Sequence, residues 1–135
     1  MPGFNFFHTF ACLSGATSVA FGAFGAHALK GKLSAHQASS WTTATSYQLT
    51  HSIALLYVAS QIAPSISNSR PLTVAAYAFT AGITLFSGSI YGLCLTNEGS
   101  PIRKLLGPAT PLGGLALIAG WVALALAKRG GVRLS

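Results

Sequence analysis

Apolar residues gather along the chain into four long stretches, at about 5–29, 41–63, 72–96 and 109–127, and most polar residues fall in the short gaps between them. A helix needs about 20 mostly apolar residues to cross the hydrocarbon core of a bilayer. Each stretch is close to that length, so the pattern predicts four membrane-spanning helices joined by short loops. The expected fold is all-α, an integral membrane four-helix bundle forming a single transmembrane domain over residues 1–135.

Within the stretches, small residues recur with helical spacing. The most continuous apolar run, Phe79 to Leu95, carries Thr80, Thr84, Gly88, Gly92 and Thr96 at every fourth position, which on a helix forms one ridge. Ridges of this kind let helix backbones approach closely in lipid, where the hydrophobic effect between helices is absent. The sequence therefore predicts close packing at Thr84, Gly88 and Gly92. A second ridge, Ser14, Ser18, Gly22 and Ala26, lies on the first stretch, and a third runs through Gly113, Ala116, Gly120, Ala123 and Ala127 on the fourth. Trp121 sits deep in that last stretch, which places it against protein. Ser87 and Tyr91 are on a different face of the third helix and are expected to hydrogen-bond locally or across helices.

Punctuation residues set the boundaries. Lys30 and Lys32 close the first stretch, which lacks the basic n-region of a signal peptide and is read as part of the mature protein. Ser34 followed by Gln37 has the form of a capping box. The helix it starts is too polar over about 35–46 for the bilayer centre, so that part is placed at the interface with Trp41 as an aromatic anchor. Pro64 ends this helix, and Pro71 suits the first turn of the next. The third helix closes at Asn97-Glu98-Gly99, Thr110 is a candidate N-cap for a short fourth helix, and a basic tail occupies 128–135.

Composition narrows the class. Charged residues make up 7% of the chain, against roughly 25% in soluble domains. The net charge of +7 comes from residues standing singly or in pairs at the ends of apolar stretches, with no basic run interleaved with aromatics, so no nucleic-acid partner is expected. Lys30, Lys32, Arg70, Arg103, Lys104, Lys128 and Arg129 read instead as anchors for anionic lipid headgroups. Orientation is not decided by charge: Arg70, Lys128, Arg129 and Arg133 on one side balance Lys30, Lys32, Arg103 and Lys104 on the other. Cys12 and Cys94 lack the paired spacing of a metal or redox site and are expected to be small buried hydrophobes.

Ionisable residues inside spans are functional candidates. They are His8, His27 and His51, with Tyr47, Gln48 and Tyr91 as polar neighbours, and His27, Tyr47, Gln48, His51 and Tyr91 form the candidate polar site. No Asp, Glu, Lys or Arg lies inside a span, which weighs against proton pumps and ion-coupled transport. Ser87 and Ser89 have no evident base, so no catalytic residue is assigned. Ligation of haem by His27 and His51 would require the two to meet, yet His27 ends the first span while His51 lies about 15 Å along the second helix from Trp41. Neither a cofactor nor a metal is expected; the imidazoles are read as hydrogen-bonding partners that fix helix register.

Gly22-Ala-Phe-Gly-Ala-His27, Trp41-Thr-Thr-Ala44 with Tyr47, Gln48 and His51, Leu85-Phe-Ser-Gly-Ser-Ile-Tyr91, and Pro111-Leu-Gly-Gly114 with Gly120 and Trp121 together resemble, in order and spacing, a family of small four-span membrane proteins, domain of unknown function 423. Its mitochondrial members look like transmembrane protein 256. The resemblance covers Leu13 to Ala127 and implies four transmembrane helices in an inner membrane, mitochondrial or bacterial, with no established activity, substrate or cofactor. The expectation is a protein without a catalytic centre, an accessory or scaffolding subunit of a larger membrane complex or a homo-oligomer. The alternative is a small carrier, channel or lipid-binding protein using the His/Tyr/Gln site.

Overall fold

The structure, a computed structural model, describes residues 4–62 and 69–127. It contains four helices, α1 (Phe4–His27), α2 (Ala35–Gln61), α3 (Arg70–Leu95) and α4 (Arg103–Leu126), with no strand among the described residues. The expected turn at 64–71 lies mostly outside the described residues, and the basic tail with Lys128, Arg129 and Arg133 lies wholly outside them.

Helix α2 begins where the capping box placed it. Ser34 Oγ accepts from the Gln37 amide at 3.1 Å, and Gln37 Oε1 accepts from the Ser34 amide at 2.9 Å. Two of the amides that a helix start leaves unpaired are thereby satisfied. Pro71 falls in the first turn of α3, where a missing N–H costs no intrahelical bond. The fourth helix departs from expectation. It starts at Arg103 instead of about 109, spans 24 residues, and carries Pro108 and Pro111 internally. Thr110 is therefore no N-cap: its hydroxyl donates to the Leu106 carbonyl one turn back and pairs with Ser89 at 2.6 Å. The turn Ser100–Ile102 supplies carbonyls to the first amides of α4, so the helix begins without a side-chain cap.

Helices α1, α3 and α4 are each long and apolar enough to cross a membrane. Helix α2 is more polar, and its burial compensates. It packs on α1 and on α3, while α4 packs on α3 from the other side, so α2 and α3 form the middle of the assembly. Phe7, Leu55, Val58 and Phe79 make the centre of one core cluster, and Leu29, Trp41, Ala44, Ile90, Tyr91 and Cys94 form a second.

The α3–α4 seam is the closest contact. A Cβ at Gly113 would collide with the backbone of Leu85 and Phe86, one at Gly82 would lie 3.0 Å from the Leu117 backbone nitrogen, and one at Gly120 would lie 2.7 Å from the Phe79 ring. The seam expected on α4 at Gly113 and Gly120 is present, and its partner on α3 is Gly82. The ridge expected on α3 is displaced. Gly92 does approach Leu106, but Thr84 is exposed and a Cβ at Gly88 would meet nothing within 4 Å. The reason is rotational: the face of α3 turned to α4 holds Phe79, Gly82 and Phe86, and Gly88 points outward from it. On α1, Ser14 and Ser18 are buried as expected, whereas Ala26 is exposed and Gly22 has open space around it.

Candidate polar sites between the helices

The five residues expected to form one polar site are divided among three places. Gln48 and Tyr91 meet in the middle of the α1–α2–α3 contact, where the Tyr91 hydroxyl donates to Gln48 Oε1 at 2.6 Å. Gln48 Nε2 donates to the Ser14 carbonyl at 2.9 Å and to Thr17 Oγ1 at 2.8 Å. One turn further, the Ser52 hydroxyl lies 2.8 Å from Ser14 Oγ and 2.6 Å from the Gln48 carbonyl. Ser87 completes this side by donating to the Ala44 carbonyl at 2.7 Å. Three helices are thus tied through a glutamine whose amide has its donors and its acceptor engaged. No buried side-chain nitrogen or oxygen among the described residues lacks a partner, as a low-dielectric interior demands.

Tyr47 and His51 lie on another face of α2, toward α4. Their rings are 5.6 Å apart, Tyr47 stacks on Phe86 at 4.8 Å, and His51 contacts Phe79 at 5.9 Å and Trp121 at 6.0 Å. His51 is buried, and its Nδ1 sits 2.6 Å from the Tyr47 carbonyl. Because a carbonyl only accepts, Nδ1 carries the proton. Together with Ser46, Thr50 and the α4 residues Gly114, Leu117, Ile118 and Trp121, these side chains line an open cleft of about 580 Å³. Trp121, expected to face protein, does so with one edge against Phe79 at 5.3 Å and leaves 46% of its surface exposed.

His27 takes no part in either cluster. It ends α1 and is exposed, so it lies near the α2 start while His51 lies sixteen positions into α2, about 24 Å along that helix. The pair cannot share one ligand, and no group of three or more metal-ligating side chains occurs among the described residues.

Two aromatic and cationic assignments also change. Trp41 is no interfacial anchor: it is 4% exposed, donates its indole N–H to the Phe21 carbonyl at 2.8 Å, and packs on Phe21, Phe24 and Tyr91. Gly25 makes the space, since a Cβ there would strike the Trp41 ring. Arg103, read from the sequence as a headgroup anchor, engages the end of α3. Its Nη1 donates to the Leu93 carbonyl at 2.7 Å and to the Thr96 carbonyl at 3.2 Å, capping the C-terminus of α3 where the helix dipole favours a cation. Cys12 is exposed, contrary to expectation, while Cys94 is buried.

Four helices, three of them apolar over a full bilayer thickness, with polar side chains paired across their interfaces, define a multi-pass helical membrane protein. Its family follows from comparison with known sequences. The model of a protein family of unknown function, DUF423, matches residues 21–114. A UPF0382 membrane protein of Schizosaccharomyces pombe is 41% identical over 118 residues, covering 84% of this chain and 93% of that protein. The UPF0382 membrane protein SAB0533 of Staphylococcus aureus is 43% identical over 117 residues, covering 85% and 88%, and YwdK of Bacillus subtilis is 39% identical over 110 residues, covering 82% and 85%. No solved structure matches the chain. The chain belongs to the DUF423 family of membrane proteins, as its motifs suggested.

Proposed function

We propose that this protein is a non-catalytic accessory or scaffolding subunit of a larger membrane assembly. The observation that carries the reading is the groove between α1 and α3. It has a volume of about 410 Å³, with Thr84 and Gly88 on one wall and Phe10, Leu13 and Phe21 on the other. A glycine in a transmembrane helix that packs on nothing in its own chain leaves the backbone open to a second helix, and close approach at small residues is how helices associate in lipid. The polar residues beneath the groove, Ser14, Thr17, Gln48 and Tyr91, bond one another. They support the groove floor and leave the wall as the contact surface. Bacterial and yeast relatives are compatible with an inner-membrane home, and we place the protein in the mitochondrial inner membrane, with the bacterial inner membrane as the alternative. Affinity purification from native membranes in mild detergent tests the reading. Wild type should bring down a larger complex that Gly88→Leu loses while keeping its thermal stability. Recovery of the same species by both proteins would refute it.

A further inference from the structure

The cleft between α2 and α4 holds polar groups that the rest of the molecule does not use. His51 is 7% exposed, and its Nδ1–H is committed to the Tyr47 carbonyl, which leaves Nε2 with a lone pair. No hydrogen bond within the described residues engages that nitrogen, and no buried polar atom is without a partner, so Nε2 keeps accessible surface on a residue that lines the cleft. Ser46, Tyr47, Thr50 and Trp121 line the same cleft, and their hydroxyls and indole N–H likewise make no hydrogen bond within the described residues. Their neighbours behave differently. Thr42, Thr43 and Thr45 on the same helix each return a hydroxyl proton to a carbonyl three or four residues back.

Depth makes this unusual. His51 lies sixteen residues from the start of α2 and ten from its end, about 24 and about 15 Å, near the middle of the expected span at 41–63. Hydrocarbon offers no hydrogen bonds, and each unpaired polar group there costs several kcal/mol. An imidazole acceptor near mid-span, in a cleft also lined by three hydroxyl-bearing side chains and an indole, calls for an occupant that brings complementary groups. The cleft offers about 580 Å³, within the roughly 300–1,000 Å³ range of small-molecule pockets. Tyr47 and Trp121 supply aromatic walls, Leu117 and Ile118 an apolar one, and the mouth faces lipid, since Ile118 is 60% exposed.

We propose that this cleft binds a bilayer-borne molecule with a hydroxylated aromatic ring on an apolar tail, the chemistry of a quinol. The ring lies between Tyr47 and Trp121, one ring hydroxyl donates to His51 Nε2, and the oxygens accept from Ser46, Tyr47 or Trp121. The tail leaves past Ile118 into the acyl chains. A sterol also carries a hydroxyl, but on a saturated frame whose polar end belongs at the interface; the mid-membrane position of His51 favours the aromatic ring. The proposal stands independently of the groove between α1 and α3, which is on other faces of the bundle.

The test uses the full chain in nanodiscs, kept anaerobic, and titrates a decyl-tailed benzohydroquinone while following tryptophan fluorescence. Saturable quenching is expected in wild type and is lost in Trp121→Phe, where only the buried Trp41 remains. The dimethyl ether of the same hydroquinone cannot donate, so it should bind at least tenfold more weakly. His51→Gln, which keeps an acceptor, should retain most of the binding, and His51→Leu should weaken it at least tenfold. Because the ether comparison is made on wild type, it holds even if a variant does not fold. Equal affinity for the hydroquinone and its ether, quenching without saturation, or displacement of the hydroquinone by cholesterol at equal concentration would overturn the proposal. So would cross-linking of the Ser46 position to another protein's helix in native membranes.

Discussion

Replacing Gly113 with Leu inserts a side chain where the α3–α4 seam has no room for a single carbon. The Cβ alone would lie 2.8 Å from the Leu85 carbonyl carbon and from the Phe86 Cα, and closer still to the Phe86 amide nitrogen. These are backbone atoms inside a helix, so no rotamer change relieves the clash and the two helices must separate. Separation also loosens the neighbouring contacts of Gly82 with Leu117 and Gly120 with Phe79, which hold the same seam. Overpacking in a filled core costs about 1–3 kcal/mol and occasionally more, and a clash with backbone along a shared seam belongs at or above the top of that range. Gly88→Leu is the matched control on the partner helix. Its Cβ meets nothing within 4 Å, and substitutions at such open positions stay within about 0.5 kcal/mol. Both variants add the same atoms to a transmembrane glycine, so the comparison isolates the seam. The assay is thermal unfolding in one detergent, followed by helical circular dichroism and by monodispersity after heating. Gly113→Leu should lower the midpoint by on the order of several degrees, and Gly88→Leu should leave it unchanged within error. Equal midpoints would refute the assignment of Gly113 to the seam and of Gly88 to the outer surface.

Two further outcomes follow from the same packing. Gln48→Leu removes three hydrogen bonds to Ser14, Thr17 and Tyr91; at about 0.6 kcal/mol for each interhelical bond in a membrane, a loss of about 2 kcal/mol is expected in a denaturant titration, and an unchanged midpoint would show that the network contributes nothing net. The alternation of four helices places the 28–34 and 96–102 connections on one side, so cysteines introduced at Lys32 and Glu98 in a Cys12→Ser, Cys94→Ala background should react together with an impermeant maleimide from that side; labelling from opposite sides would remove one crossing.

Sequence patterning carried the helix count, the α2 start and the α4 seam because each rests on local chemistry. Ser34 and Gln37 satisfy each other's amides whatever surrounds them, and Gly113 and Gly120 are seven apart, two turns of one face. What failed was the assignment of faces to partners. Gly82 and Gly88 lie on different faces of α3, and spacing alone does not say which of them is turned toward α4. The neighbour decides: Phe79 at one end of the seam fills the notch at Gly120, and this rotates Gly82 inward. Trp41 was misplaced for a related reason, since an indole near a helix start reads as a lipid anchor until Gly25 on another helix provides a slot for it. Arg103 likewise pairs with carbonyls ten and seven residues earlier, a contact set by the turn between α3 and α4.

The polar character of α2 is the point at which fold and function meet. By composition this helix is the weakest membrane crosser of the four, and it does not number among the three apolar enough to cross unaided. It is tolerated because α1 and α3 cover two of its faces and accept its polar groups: Gln48 and Ser52 are spent on Ser14 and Thr17, Ala44 receives Ser87, and Trp41 reaches Phe21. That leaves a third face, Ser46, Tyr47, Thr50 and His51, opposed by α4, where covering is incomplete and the three hydroxyls and His51 Nε2 make no hydrogen bond within the described residues, His51 Nδ1 alone being engaged by the Tyr47 carbonyl. Had stability alone shaped this face, Leu or Val at Ser46 and Thr50 would fill the space against Leu117 and Ile118 and remove the desolvation cost of two hydroxyls. The double substitution Ser46→Val, Thr50→Val should therefore raise the thermal midpoint while weakening hydroquinone binding severalfold, a pairing of gained stability with weakened binding that a purely structural face would not produce.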